Sequence, residues 1–201
     1  MNRILFPIFA TMLVLTGLTG CALFRTPVPA GSRQAVMLVT VGKEKQPRRI
    51  DIELLEESAP ATVANFKDLI SRRYYDGMGF HRIFPRTLVQ TGDPKSRHGE
   101  TDRSGTGGPG YTIPAEIRLK TDQGAVAMAR LPDSINPTRA SNGSQFFVCI
   151  RTMPQFNGQY TVFGKVVQGL DQLDQISSLP VNSNDYPQEK VVIRSIRLQS
   201  G

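Results

Sequence analysis

The 201 residues carry 24 Lys and Arg against 17 Asp and Glu, a formal charge of +7, with 14 Pro, 18 Gly and 39% hydrophobic residues. A chain of this size builds one domain, and its ordinary apolar fraction excludes wholesale disorder and a multi-span membrane protein. The basic residues are dispersed as Arg48-Arg49, Arg72-Arg73 and single sites, without a basic helix or aromatic platform, so no nucleic acid is expected as partner.

The first twenty residues differ from all that follow. Arg3 supplies a positive charge, and residues 4–17 are uncharged and mostly apolar, a run too short for a stable membrane span. It ends at Leu18-Thr19-Gly20-Cys21, which resembles the bacterial lipoprotein signal. That resemblance implies removal of residues 1–20, lipid on Cys21, and a domain exported and anchored to the bacterial envelope through that lipid. Ala22 then implies the outer membrane, facing the periplasm, if the cell is Gram-negative. An ordinary signal peptide with an incidental cysteine would export the domain equally. Residues 21–34 contain Pro, Gly and Ser without a period and read as a tether, so the folded domain is expected over 35–201. With Cys21 assigned to lipid, Cys149 has no disulfide partner, and its apolar neighbours predict an inert, buried thiol.

Apolar and β-branched residues predict a strand over 36–41, and alternation of Ile50, Ile52 and Leu54 against Asp51 and Glu53 predicts its partner over 49–55. Between 60 and 70, Val63, Phe66, Leu69 and Ile70 fall at helical spacing, an amphipathic helix of about three turns. Strands follow over 79–84 and 88–91, then a polar loop over 94–110 that ends Gly105-Thr106-Gly107-Gly108-Pro109-Gly110. That loop lacks the Lys-Ser/Thr ending and the following helix of a phosphate cradle, and reads as a shaped surface loop. Further strands are expected over 124–129, 145–150, 160–167 and 190–198, with a weaker helix over 170–179. The domain is therefore mainly β, and periodicity leaves both a barrel and a sandwich open.

Within 79–84, period-two alternation sets Phe80, Arg82 and Phe84 on one face. If the strand over 88–91 pairs beside it, Leu88 and Gln90 flank the guanidinium with an apolar contact and an amide. Over 145–149 the same alternation separates Gln145 and Phe147 from Phe146 and Val148, giving one pocket-floor face and one core face. Taken alone, Arg82 reads equally well as a rim arginine with its head in water. His81 shares the parity of Ile83, points away from Arg82, and reads as a histidine satisfied in the core or at a strand edge. Two histidines, one remaining cysteine and no clustered carboxylates point to no metal site. Ser141 and Ser144 occur without Gly-x-Ser-x-Gly, which argues against a serine hydrolase.

From about Val36 to Leu198 the sequence resembles the cyclophilin-type peptidyl-prolyl isomerases. The resemblance is carried in order by Pro60-Ala61-Thr62-Val63-Ala64-Asn65-Phe66, by Phe80-His81-Arg82 with Gln90 and Gly92-Asp93, and by Gly105-Thr106-Gly107-Gly108. It continues through Asn142-Gly143-Ser144-Gln145-Phe146-Phe147 and Val162-Phe163-Gly164-Lys165-Val166. It implies a closed eight-stranded antiparallel barrel capped by two α-helices. It also implies a monomeric, cofactor-independent enzyme that accelerates rotation about X-Pro bonds in proline-containing polypeptides and so assists folding.

By position, Arg82 matches the family's catalytic arginine, Gln90 its pocket glutamine and Phe147 the aromatic beneath the substrate proline. Leu88 stands where methionine is usual, a volume-similar exchange. Gly105, Ala129, Arg130, Leu131 and Gln145 match positions lining the groove beside the proline pocket, and Phe156 and Tyr160 its far wall. Three departures stand out: Thr87 for a pocket phenylalanine, Gln155 for the aromatic that binds cyclosporin, and a long loop over 93–105. They imply a shallower, more polar pocket and weak cyclosporin binding. They also leave a reading of another class, a chaperone-like or scaffolding polypeptide binder with incidental isomerase activity; retention of Arg82, Gln90 and Phe147 favours the enzyme.

Overall fold

Alternation in the first strand buries Ala35, Met37, Val39 and Val41 on one side of β1 (Gln34–Val41), which pairs antiparallel with β2 (Arg48–Leu54) across the expected hairpin. The computed structural model describes residues 31–98 and 104–199. The expected signal, Cys21 and most of the tether lie outside these residues. No helix among the described residues is long and apolar enough to cross a membrane.

Helix α1 (Pro60–Ser71) begins with proline at its first turn, where a missing N–H costs nothing. Its N-cap, Ala59, supplies no side-chain hydrogen bond, and the carboxylate of Glu116, far along the chain, takes over that task. It accepts from Ala61 N at 3.1 Å, Thr62 N at 2.9 Å and Thr62 Oγ1 at 2.8 Å, placing negative charge at the positive end of the helix dipole. The expected apolar stripe of Val63, Phe66, Leu69 and Ile70 is buried against the sheet. The second helix, α2 (Leu170–Ser177), is shorter than its sequence pattern suggested and buries Leu173 and Ile176. Gly169 before it has φ +85°, and a Cβ there would stand 2.3 Å from the carbonyl oxygen of Arg49, so only glycine admits this entry.

The remaining strands are β3 (Arg82–Phe84), β4 (Leu88–Thr91), β5 (Thr112–Ile113), β6 (Ala125–Met128), β7 (Ser141–Asn142), β8 (Phe146–Cys149), β9 (Val162–Gln168) and β10 (Val191–Gln199). Of the ten strands among the described residues, eight form one antiparallel sheet in the order β10-β1-β2-β9-β6-β8-β4-β3, and β5 pairs with β7 as a separate two-stranded ribbon that the alternation did not announce. The sheet is an open, strongly curled half-barrel, which corrects the closed barrel expected from the resemblance.

The physical reason for the open sheet lies at 77–81, where the expected strand over 79–84 breaks. Gly77 takes φ +81°, and 77–80 meets β10 through a single bridge, Gly79 to Val192, with Gly77 N donating to Ile193 O, Ile193 N to Met78 O and Phe80 N to Val191 O. Three residues of β3 are too short to run a ladder to β10. The free edge of β3 is covered instead by the loop before β10, with Ile83 N donating to Asp185 O at 2.8 Å. Phe80 consequently leaves the face of Arg82 and Phe84 and joins the main core, which also holds Phe66, Phe146, Val148 and Phe163.

Candidate active site

The two faces predicted for the strand over 145–149 separate as alternation requires. Phe146 and Val148 join the main core, whereas Phe147 and Cys149 belong to a second apolar cluster with Leu88, Ala127, Met153 and Val162. Register then aligns the key side chains. Arg82 lies opposite Gln90 across β3 and β4, and Gln90 lies opposite Phe147 across β4 and β8, so the three form one row across adjacent strands. The next row holds Phe84, Leu88 and Cys149. Burial pushes the Cys149 thiol up to about 12, which leaves it protonated and inert at neutral pH.

A cleft of about 670 Å³ opens over these rows. Arg82, Gln90, Phe147 and Leu88 line it, and so do Gly105, Ala129, Arg130, Leu131, Gln145, Phe156 and Tyr160, the positions matched to the family's working residues, groove and far wall. Its floor is a cluster of three rings: Phe147 meets Tyr160 edge-on at 5.1 Å and Phe156 at 6.0 Å, and Phe156 meets Tyr160 at 5.0 Å. Thr87 and Gln155 do not line the cleft. The Thr87 hydroxyl donates to Pro85 O and accepts from Arg151. A more open depression between the β1–β2 loop and the start of α2 is lined by charged and amide side chains, has no apolar floor, and is bordered by the self-paired Glu44 and Arg48.

Gln145 is 2% exposed and fixes the polar side of the cleft. Its amide nitrogen donates to Gly105 O at 2.9 Å and Gly107 O at 2.8 Å, so its oxygen must face Gln90 and accepts from Gln90 Nε2 at 2.9 Å. Gln90 is thereby oriented with its own carbonyl oxygen unengaged among the described residues. Arg130 contributes a wall rather than a free charge. Its guanidinium stacks on Tyr160 at 5.2 Å and donates through Nε to Gln159 O at 2.7 Å, with Asp133 paired to it from outside. Arg82, in contrast, rises at the rim with its side chain 48% exposed and its guanidinium 4.5 Å above the ring of Phe84.

Several contributors escaped the sequence reading. Buried Asp93 accepts from the backbone N–H groups of Lys95, Gly105 and Gly107, and so shapes the loop that borders the cleft. A Cβ on Gly107 would stand 2.0 Å from its Oδ1, which explains that glycine. Asn142 Oδ1 accepts from Ser144 N and Gln145 N, setting the entry to β8. The signal for both was present in the quoted motifs, but a hydrogen-bond partner cannot be read from spacing alone. Asp185 as a partner of Arg82 carried no sequence signal, whereas the Phe84 stack lies on the face that alternation assigned.

His81 is buried as parity predicted, yet neither ring nitrogen has a hydrogen-bond partner among the described residues, which corrects the expectation of a satisfied histidine. Burial lowers its proton affinity, opposed by the Asp93 carboxylate and by the nearby Gln145 amide and Gly79 backbone, none of which closes a hydrogen bond of good geometry with the ring. The unfolded chain therefore binds the proton first as pH falls through about 6.5, so the contribution to stability present at neutral pH is lost on acidification below that value. Urea midpoints measured at pH 7.5 and 5.5 should show a loss from this group of up to about 1.4 kcal/mol per pH unit. A His81→Phe variant should flatten that dependence, and an equal acid slope in both proteins would refute the assignment.

An apolar aromatic floor, a row of amides and an arginine at the rim define the cleft. The family described as cyclophilin type peptidyl-prolyl cis-trans isomerase/CLD matches residues 37–198. Peptidyl-prolyl cis-trans isomerase B of Bacillus subtilis is 41% identical over 133 residues, covering 65% of this chain and 84% of that protein. Peptidyl-prolyl cis-trans isomerase-like 3 of Gallus gallus is 39% identical over 155 residues, covering 75% and 90%. The crystal structure of a Cryptosporidium parvum cyclophilin-type isomerase superposes with a TM-score of 0.71 at 27% identity, covering 84% of this chain and 98% of that one. The same protein solved in the presence of the dipeptide Ala-Pro gives 0.70. The chain belongs to the cyclophilin-type peptidyl-prolyl cis-trans isomerases, enzymes that need no cofactor.

Proposed function

We propose that this isomerase acts on X-Pro bonds of exported or envelope polypeptides, with Arg82, Gln90 and Phe147 as its working residues, and that it is held at a bacterial membrane by lipid on Cys21. The observation that carries the site assignment is the cross-strand row Arg82–Gln90–Phe147 facing one cleft. An X-Pro amide resists rotation because nitrogen lone-pair conjugation must be broken, a barrier of about 20 kcal/mol. In the twisted form the nitrogen regains its lone pair, and Arg82, always protonated, donates to it. The ring sits on Phe147 beside Leu88, and Phe156 and Tyr160 keep water from it. The free carbonyl oxygen of Gln90 accepts a substrate backbone N–H and fixes the peptide. No covalent bond breaks and no proton is transferred. A ten-thousandfold acceleration asks for about 5.4 kcal/mol, the scale of one charge-assisted hydrogen bond made only in the transition state together with positioning.

Exchange spectroscopy of an Ala-Pro peptide tests the activity: catalytic amounts of the domain should broaden and exchange the cis and trans signals, and binding without exchange would defeat this reading in favour of a polypeptide binder. The anchor rests on Leu18-Thr19-Gly20-Cys21. Expressed in a bacterium with its full leader, the wild-type chain should fractionate with membranes and take up labelled fatty acid. Cys21→Ser should fold and remain active without lipid label. Label retained in that variant would sink the anchor assignment while leaving the enzyme untouched.

A further inference from the structure

The catalytic arginine of the row above is not held by the sheet alone. Its Nε donates to Asp185 Oδ2 at 3.4 Å, across 103 residues of sequence, while the guanidinium lies on the ring of Phe84 at 4.5 Å. Nη1 and Nη2 make no hydrogen bond among the described residues. Asp185 occupies an unusual backbone position: φ is +60°, a region that side-chain-bearing residues seldom adopt. Local bonds build that conformation. Asp185 N donates to Asn182 O, Asn182 N donates to Tyr186 O, and Asn182 Oδ1 accepts from Asn184 N and Tyr186 N. The same residue turns its carbonyl onto the strand edge, accepting from Ile83 N at 2.8 Å, next to Arg82 in sequence. One residue therefore grips β3 by its backbone and the guanidinium by its side chain.

We infer that Asp185 is a positioning residue for the isomerisation: by taking Nε it sets the plane of the guanidinium so that the two Nη groups, the ones left free, serve the twisted amide. This rests on the reading of Arg82 as the catalytic donor. A pair exposed to this degree, 48% for the Arg82 side chain and 34% for Asp185, adds little to folding, so its consequence falls on orientation. Arginine on a rim has many rotamers, and a bond at Nε together with the Phe84 stack removes most of them before substrate arrives. Because Arg82 donates in the twisted state and the ring is held by other residues, a misaligned guanidinium lowers kcat and leaves KM nearly unchanged.

The test compares wild type, Asp185→Asn, Asp185→Gly and Arg82→Ala by exchange spectroscopy on an Ala-Pro peptide, together with the ¹⁵N Nε–H resonance of Arg82. Asn and Gly both tolerate φ +60°, so the loop survives; Asn keeps an uncharged acceptor and Gly removes it. We expect kcat to fall about threefold in Asp185→Asn and about tenfold in Asp185→Gly, with KM within twofold. The Arg82 Nε–H signal should be resolved and slowly exchanging in the wild type and collapse toward the exposed arginines in Asp185→Gly. Unchanged or raised kcat in Asp185→Gly, with Arg82→Ala still lowered about a hundredfold, would overturn the role of Asp185 and leave the site reading intact. An Arg82→Ala variant with wild-type kcat would overturn the site reading itself. A wild-type Nε–H indistinguishable from solvent-exposed arginines would also refute the inference, with no variant required.

Discussion

Arg82→Ala is expected to lower kcat/KM for an Ala-Pro peptide by about a hundredfold, roughly 2.7 kcal/mol of transition-state stabilisation, with KM changed less than threefold. The separation follows from geometry. The ring-binding surface of Phe147, Phe156, Tyr160 and Leu88 contains no atom of Arg82, whereas the guanidinium stands at the rim. Folding should hardly notice the change: the lost contacts are one exposed ion pair and one cation–π contact, each worth about 1 kcal/mol or less. Arg82→Lys should fall between, since an ammonium keeps the charge and loses the planar fork. Exchange spectroscopy for the rate and a thermal midpoint for the fold make the check. A variant that unfolds near ambient temperature, or one that keeps wild-type kcat, would contradict the donor role.

Phe66→Ala is expected to cost about 3–5 kcal/mol of folding free energy. The side chain is fully buried and meets Phe163 at 5.0 Å, Tyr75 at 5.2 Å and Phe146 at 5.6 Å, so deletion leaves a void that α1 and the sheet cannot both close. At about 2–4 °C per kcal/mol for a domain of this size, the midpoint should fall by roughly 6–20 °C. Activity below the transition should persist, because Phe146 faces this cluster while its neighbour Phe147 faces the cleft. A midpoint within 3 °C of wild type would show that the cluster repacks.

Much of the site was legible because the strands around it obey a period of two. Knowing only that 145–149 is a strand assigns Phe146 inward to the core and Phe147 to the cleft, and the same parity sets Arg82 with Phe84 and Leu88 with Gln90. Phe80 escaped that logic, since Gly77 and Gly79 break the extended run before parity can carry through to it. His81 was placed correctly and its satisfaction was not. Alternation sets the direction of the ring and says nothing of whether a hydrogen-bond partner meets it in good geometry.

The sequence by itself determined a mainly β domain with an amphipathic first helix, the residues that come to line one cleft, and the family whose motifs they share, because hydrophobic period and residue chemistry are local properties. Only the tertiary structure decided that the sheet stays open, and that Glu116 caps α1. It alone decided that Gln145 sets the orientation of Gln90, and that Asp185 reaches Arg82 from across the chain. Each of these depends on which distant polar group arrives within about 3 Å of another, and such meetings are arranged by the packed core, where spacing along the chain carries no information.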